Sequence, residues 1–308
     1  MKTLNIVNGP QKASRIVQGC MRIPGLTKEE AAEVIRTAYD CGINFYDHAT
    51  CYGNGAAESK FAEAFPLTGI KREDIFIQSK CGLCFERNEF DWTKENILSS
   101  VDDSLRRLNI EYLDSLLLHR PDVLFDPEEV AEAFDVLEES GKVRFFGVSN
   151  VVPMQTELLK KYVKQPLVIN QLQLSLEQSQ LIDQDLYMNN KTTDFSVNRD
   201  GNAFDYCRLK DITIQAWSPL QFGMFGGTFI DNPDFPELNK TLGELAEREN
   251  VSKSSIAVAW ILRHPARMQV IIGTMNPEHI KEMCTACEVN LSHHDWYELY
   301  LSAGKFLP

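Results

Sequence analysis

Short runs of β-forming residues alternate with amphipathic helical stretches along the whole chain, and this alternation limits the fold more than any other feature. The β-type runs cover 16–20, 43–47, 75–80, 112–119, 143–148, 167–171, 212–216 and 269–272, eight in all. Helical stretches such as 28–41, 94–108, 126–140, 153–163 and 237–250 carry apolar residues three and four apart. Thr27 with Glu30 and Ser292 with Asp295 have capping-box spacing, and Gly42 and Gly141 follow helices where a left-handed residue is wanted. Strands such as Asp114-Ser-Leu-Leu-Leu-His119 are nearly continuously apolar, as a parallel sheet requires when helices cover one face and a packed interior the other. Eight β-then-α units in 308 residues, without a linker or composition break, predict an α/β chain with one domain over 1–308, a single (β/α)8 TIM barrel. An N-terminal β-hairpin pairing 4–7 with 14–17 and an extra C-terminal helix at 294–302 are expected to close its two ends. Two segments, 189–202 and 222–236, read as long loops, one of them a candidate lid.

Charge and cysteine content narrow the partners. The 31 Lys and Arg against 44 Asp and Glu give a net charge of −13, which repels phosphate backbones and anionic lipid heads. Nucleic acid and membrane are therefore not expected partners. No leader-like apolar segment and no long uncharged run are present, so a cytoplasmic location is expected. The eight cysteines of a chain this long are expected as reduced thiols. Cys81-x-x-Cys84 and Cys284-x-x-Cys287 have zinc-ligand spacing, but they lie far apart in the chain, and no metal is expected. A thiol sensor or nucleophile at Cys51 or Cys81 is the alternative use of these thiols. His293-His294-Asp295 reads as the solvated start of a helix.

In such a barrel the site forms at the carboxyl ends of the strands. The polar residues that end the apolar runs are Asp47, Lys80, His119, Ser149 with Asn150, Asn170 with Gln171, and Trp217 with Ser218; Tyr52 follows Asp47 in the same loop. Singly, each has a plain structural reading: a solvated Lys, a core His, a Ser149-Asn150 helix cap before Pro153, a core Trp217. Together, the ends of strands two, three and four bring Asp47, Tyr52, Lys80 and His119 into one pocket. A neighbouring ammonium is expected to lower the tyrosine pKa from its ordinary value near ~10, and Asp47 to hold Lys80 charged. His119, as a neutral donor, would orient an oxygen that turns negative. That set suits reduction of a C=O group.

Several stretches resemble the aldo-keto reductase family: Asn44-Phe-Tyr-Asp47-His-Ala-Thr-Cys-Tyr52-Gly53, Ile77-Gln-Ser-Lys80, Tyr112-Leu-Asp-Ser-Leu-Leu-Leu-His119-Arg-Pro-Asp122, Gly141-Lys-Val-Arg-Phe-Phe-Gly-Val-Ser-Asn150 and Ala216-Trp-Ser-Pro-Leu220. With Asn170-Gln171 and Ile271-Ile-Gly-Thr-Met-Asn-Pro-Glu278 they cover nearly the whole chain, and they are most similar to bacterial oxidoreductases of broad or undefined carbonyl specificity. The resemblance implies an NADP(H)-dependent enzyme, with NAD(H) second and no metal, that reduces small-molecule aldehydes and ketones by hydride transfer. It implies Tyr52 as proton donor, tuned by Lys80 and Asp47, with His119 positioning the carbonyl. It implies cofactor contacts from Ser149, Asn150, Gln171, Trp217, Ser218, Leu220, Gly273, Thr274, His279 and Glu282, and a substrate pocket that includes Met21, Arg22 and Cys51. Cys84, Phe85, Phe90 and Trp92 are expected on the same rim. The sequence departs from the family where the adenosine 2′-phosphate is held: His279 stands for the usual Arg and Met283 for a typical Asn, with Lys281 nearby to supply charge. The family also includes proteins that bind NADPH and turn over slowly, so a redox sensor or regulatory subunit is the alternative function.

Overall fold

The computed structural model describes residues 1–224 and 226–308; Phe225, within the loop expected at 222–236, lies outside the described residues. Eight parallel strands close into a barrel in chain order: β1 (Ile16–Gly19), β2 (Phe45–Asp47), β3 (Phe76–Cys81), β4 (Leu113–Leu118), β5 (Val143–Ser149), β6 (Leu167–Gln173), β7 (Thr213–Trp217) and β8 (Gln269–Ile272). β8 pairs with β1 through Val270↔Ile16, Ile271↔Val17 and Ile272↔Gln18, which completes the ring. Every residue of β4 is buried, as its unbroken apolar run requires when both faces are covered. The helices are α1 (Lys28–Asp40), α2 (Ala56–Thr68), α3 (Lys94–Leu108), α4 (Pro127–Glu139), α5 (Pro153–Lys160), α6 (Gln180–Leu186), α7 (Ala203–Leu209), α8 (Pro236–Glu249), α9 (Lys253–Arg263), α10 (Pro277–Cys284) and α11 (His293–Ser302). Both capping boxes form, at Thr27 and Ser292, and Gly42 and Gly141 take positive φ of 87° and 71° after α1 and α4.

The N-terminal hairpin is shorter than expected and shifted, pairing Thr3–Leu4 with Ala13–Ser14. Residues from Ile16 onward already belong to β1 and cannot serve both ladders. Leu4, Ile6 and Ala13 pack with Val17, Phe45, Leu117 and Ile169 from inside the ring, so the hairpin plugs the barrel where the strands begin. The extra helix α11 differs in placement: it packs on α8 and α9 outside the barrel instead of closing its second end. Trp260 and Trp296 stack there at 4.9 Å, and Arg248 holds Asp295 through two hydrogen bonds of 2.8 and 2.9 Å. The 189–202 segment carries a 3-10 turn, Asp194–Ser196, and a two-strand ladder of Leu83–Cys84 with Glu89–Phe90, absent from the sequence expectation, follows β3.

Candidate active site

The loop after β2 is fixed by buried charge. Glu58 of α2, fully buried, accepts from Ser79 Oγ at 2.6 Å and from Arg107 Nε at 2.7 Å, which ties α2 to β3 and α3. Gly55 precedes α2 with φ 85°, and a Cβ there would lie 2.5 Å from Arg107 Cδ, so only glycine lets the helix start this close to α3. The preceding loop is thereby held across the strand ends with Cys51 and Tyr52 facing inward.

Lys80, at the end of β3, is completely buried. Its ammonium donates to Asp47 Oδ2 at 2.7 Å, to the His48 carbonyl at 2.7 Å and to the Tyr52 hydroxyl at 3.1 Å, so all three protons are engaged. Burial alone would strip the charge, but Asp47 and Tyr52 outweigh it and hold the Lys80 pKa above its ordinary value. Asp47 Oδ1 accepts from Gln78 Nε2 at 2.7 Å and Gln171 Nε2 at 3.0 Å, so both carboxylate oxygens are satisfied. Behind it the amides continue inward: Gln78 and Gln171 donate to Gln215 Oε1 at 2.9 and 3.0 Å, Gln215 to Gln269 at 2.9 Å, and Gln269 to the Ser14 carbonyl at 2.8 Å. This interior chain fixes the Asp47 rotamer from the floor of the barrel, and the sequence reading missed it. Its signal is a glutamine beside an apolar residue in each of three strands, Ile77-Gln78, Ile214-Gln215 and Gln269-Val270.

Tyr52 departs from the expectation in sign. Burial raises its pKa to about 12, and the Lys80 ammonium offsets this only in part, while Asp47 adds to the rise. The hydroxyl therefore keeps its proton at neutral pH, with the Lys80 ammonium donating to its oxygen at 3.1 Å. His119, after β4, stands edge-on to the Tyr52 ring with centroids 5.9 Å apart. Burial, with Lys80 and Arg120, holds its pKa well below the usual histidine value, so the imidazole is neutral. Cys51 Sγ lies 3.4 Å from His119 Nδ1. Burial pushes that thiol up to about 11; a protonated thiol donating to Nδ1 leaves the ring proton on Nε2, free to face a carbonyl.

A second group lies beside these four. Ser149 Oγ donates to the Gln171 carbonyl at 3.1 Å, Asn150 Nδ2 donates to Ser149 Oγ at 2.7 Å, and Trp217 Nε1 donates to Asn150 Oδ1 at 3.2 Å. Asn150 and Ser218 both hold left-handed φ, 59° and 53°, a conformation that side chains adopt at a cost. Leu220 is half-buried on the core in the loop after β7. At the β8 end, Gln18 Nε2 donates to the Thr274 carbonyl at 3.0 Å, Thr274 Oγ1 accepts from Asn276 N at 3.1 Å, and Asn276 caps α10. His279 and Glu282 lie exposed on α10, and Lys281 pairs with Glu278 at 2.7 Å; Met283 is buried in the core.

These residues fit a nicotinamide cofactor: a Ser–Asn pair with a donor and acceptors for a carboxamide, a flat indole beside it, and a Gly-Thr pair before a helix N-terminus for an anion. Arg22, expected in the substrate pocket, instead donates to the Gly273 carbonyl at 3.1 Å and stands at this anion end. Gln171 commits its amide nitrogen to Asp47 and Gln215, which leaves Oε1 without a partner among the described residues and open to a cofactor. Trp92 is fully buried against Phe125 with centroids 5.1 Å apart, a core residue and not part of the rim, while Phe85 and Phe90 are exposed and Met21 is half-buried. Among the described residues, no group of three or more His, Cys, Asp or Glu side chains is placed to hold a metal, and no helix is long and apolar enough to cross a membrane.

A closed parallel barrel with such a cluster at its strand ends has a candidate active site where barrels of this kind carry theirs. Residues 15–300 match the model of the Aldo/keto reductase family, and the chain belongs to that family, whose members generally use NAD(P)H and act on small-molecule carbonyl compounds. It is 34% identical over 306 residues to the uncharacterized oxidoreductase YcsN of Bacillus subtilis, covering 95% of each chain. It is 33% identical over 309 residues to a 6-dehydroglucose reductase of Agrobacterium fabrum, again with 95% of each covered. The crystal structure of the thermostable aldo-keto reductase Tm1743 superposes with a TM-score of 0.77 at 25% identity, over 98% of both chains.

His48 offers a test of the buried surroundings. It is fully buried edge-on to Phe61, and burial together with Lys80 lowers its pKa to about 3. Above the unfolded value near ~6.5 both states are neutral; as pH falls from there toward 3, only the unfolded chain takes up the proton. Stability is expected to fall by roughly 2 kcal/mol from this residue between pH 7 and pH 5, about 1.4 kcal/mol per pH unit once titration begins. Urea melts of the parent and His48→Met at both pH values check this: the substitution should remove that part of the acid sensitivity.

Proposed function

We propose that the protein is an NADPH-dependent reductase of small-molecule aldehydes or ketones, with Tyr52 as proton donor. The observation that carries this reading is the three-way contact of the buried Lys80 with Asp47, the His48 carbonyl and the Tyr52 hydroxyl. In the forward direction His119 donates from Nε2 to the substrate carbonyl oxygen and fixes its orientation. Tyr52 gives its proton to that oxygen as negative charge develops there, and Lys80, held cationic by Asp47, stabilises the phenolate. When bound, a reduced nicotinamide would supply the hydride. Ser149 and Asn150 would hold its carboxamide, Trp217 its ring, Ser218 and Leu220 its pyrophosphate, and Gly273, Thr274, His279 and Glu282 the adenosine end. A screen of aldehydes and ketones followed by NADPH absorbance tests the reading; turnover of several members supports it, and no oxidation of bound NADPH by any of them overturns it.

NADPH is proposed over NADH because Thr274, the start of α10 and the Arg22 guanidinium at the Gly273 carbonyl offer positive potential to a 2′-phosphate, with Lys281, paired to Glu278, nearby. Exposed charges of this kind are worth little each, so the expected preference is roughly fivefold to tenfold at low salt and narrows as salt is added. Fluorescence titration with both cofactors checks it; equal dissociation constants at low salt contradict it.

A further inference from the structure

Arg120 follows His119 directly at the end of β4, and it differs from every other half-buried arginine of the described chain. Arg72 donates to Asp114 Oδ2 at 2.6 Å, Arg107 to Glu58 at 2.7 Å, and Arg15 to the Leu262 and Met268 carbonyls at 3.0 and 3.2 Å. Arg120 makes no hydrogen bond or salt bridge to any described residue; its one close partner is an aromatic face, with the guanidinium carbon 5.5 Å from the centroid of the Trp217 ring. The nearest acid in the sequence is committed elsewhere: Asp122 is buried and accepts from Trp92 N at 3.0 Å and Leu124 N at 2.8 Å. Its five donors are thus held beside the site with no protein acceptor among the described residues, open to solvent and to any ligand that brings acceptors.

We propose that Arg120 is the residue that sets substrate specificity and that the carbonyl substrate carries a carboxylate, gripped by the Arg120 fork while its C=O lies against Tyr52 and His119. This rests on the carbonyl-reductase reading above and names its substrate class. Burial lowers the Arg120 pKa, opposed in part by Tyr52 and Cys51, so the guanidinium stands within the electrostatic reach of the proton donor. Its planar, always-charged fork matches a carboxylate in two parallel hydrogen bonds, which a lysine in its place would not reproduce. The overall field works against an anion, so the grip on a carboxylate has to be local. A chain of net charge −13 repels anions at long range, and an anionic substrate needs a dedicated local cation.

The test compares 4-carboxybenzaldehyde with its neutral isostere, methyl 4-formylbenzoate, in the parent, Arg120→Met and Arg120→Lys, with NADPH affinity measured alongside. In the parent the acid is expected to have the higher kcat/KM. In Arg120→Met the acid-to-ester ratio of kcat/KM should fall about 10- to 150-fold, the range for a lost charged hydrogen bond, mostly through KM. Reduction of the ester and the NADPH dissociation constant should stay within about threefold, and Arg120→Lys should recover part of the preference. Equal or better reduction of the ester by the parent, or an equal loss on both substrates in Arg120→Met, overturns the proposal and leaves the reductase reading intact. Reduction of neither compound by the NADPH-loaded parent overturns both.

Discussion

Lys80→Met should bind NADPH and reduce no carbonyl measurably, a loss of at least about a thousandfold in kcat given what positioned proton transfer and charge stabilisation typically contribute. The reason is the triple engagement of the ammonium: without it Tyr52 has no cation beside its phenolate, and Asp47 is left buried with its Oδ2 unpaired. Removing one member of a buried ion pair typically costs about 3–5 kcal/mol, so the variant should also melt at lower urea. The double variant Lys80→Met with Asp47→Asn separates the two effects. It removes both charges and leaves an amide among amides, so stability should largely return while activity does not. Activity in either variant near that of the parent would sink the assigned roles.

Tyr52→Phe should lose about 10²- to 10⁴-fold in the reductive step, roughly 3–5 kcal/mol of transition-state stabilisation, with NADPH affinity and stability nearly unchanged. The hydroxyl removed accepts one hydrogen bond from Lys80, whose two stronger partners, Asp47 and the His48 carbonyl, remain. The pH dependence of the parent follows from the same site. Tyr52 is held up at about 12 and His119 well below the ordinary histidine value, so both are neutral across the physiological range. Single-turnover reduction by the parent should therefore be flat from about pH 6 to pH 9, with no limb near ~6.5 where an unperturbed histidine would titrate.

Most of the scaffold was legible in the sequence because a parallel barrel imposes short apolar runs, and the polar residues that end them must converge. Asp47, Lys80, His119, Ser149, Asn150 and Trp217 were all found as strand endings or their immediate neighbours, and the structure brings them together. Three features escaped for physical reasons. The glutamine chain behind Asp47 stayed hidden because one amide in an apolar strand has no periodic signature; only closure of the ring shows that Gln78, Gln171, Gln215 and Gln269 meet. The sign of the Tyr52 shift is not legible in the sequence because burial is a property of the folded site, and here it exceeds the effect of Lys80. Arg22 and Trp92 read as rim residues from their place after strand ends, yet Arg22 reaches the Gly273 carbonyl and Trp92 turns into the core, since loop residues choose their direction by packing rather than by register.

The most direct measurement is stopped-flow oxidation of enzyme-bound NADPH by 4-nitrobenzaldehyde, in the parent and in Tyr52→Phe. Fast single-turnover oxidation in the parent and a loss of several hundredfold or more in the variant is the expected result. Slow oxidation that is indifferent to Tyr52 would contradict it and favour a cofactor-binding sensor over a reductase.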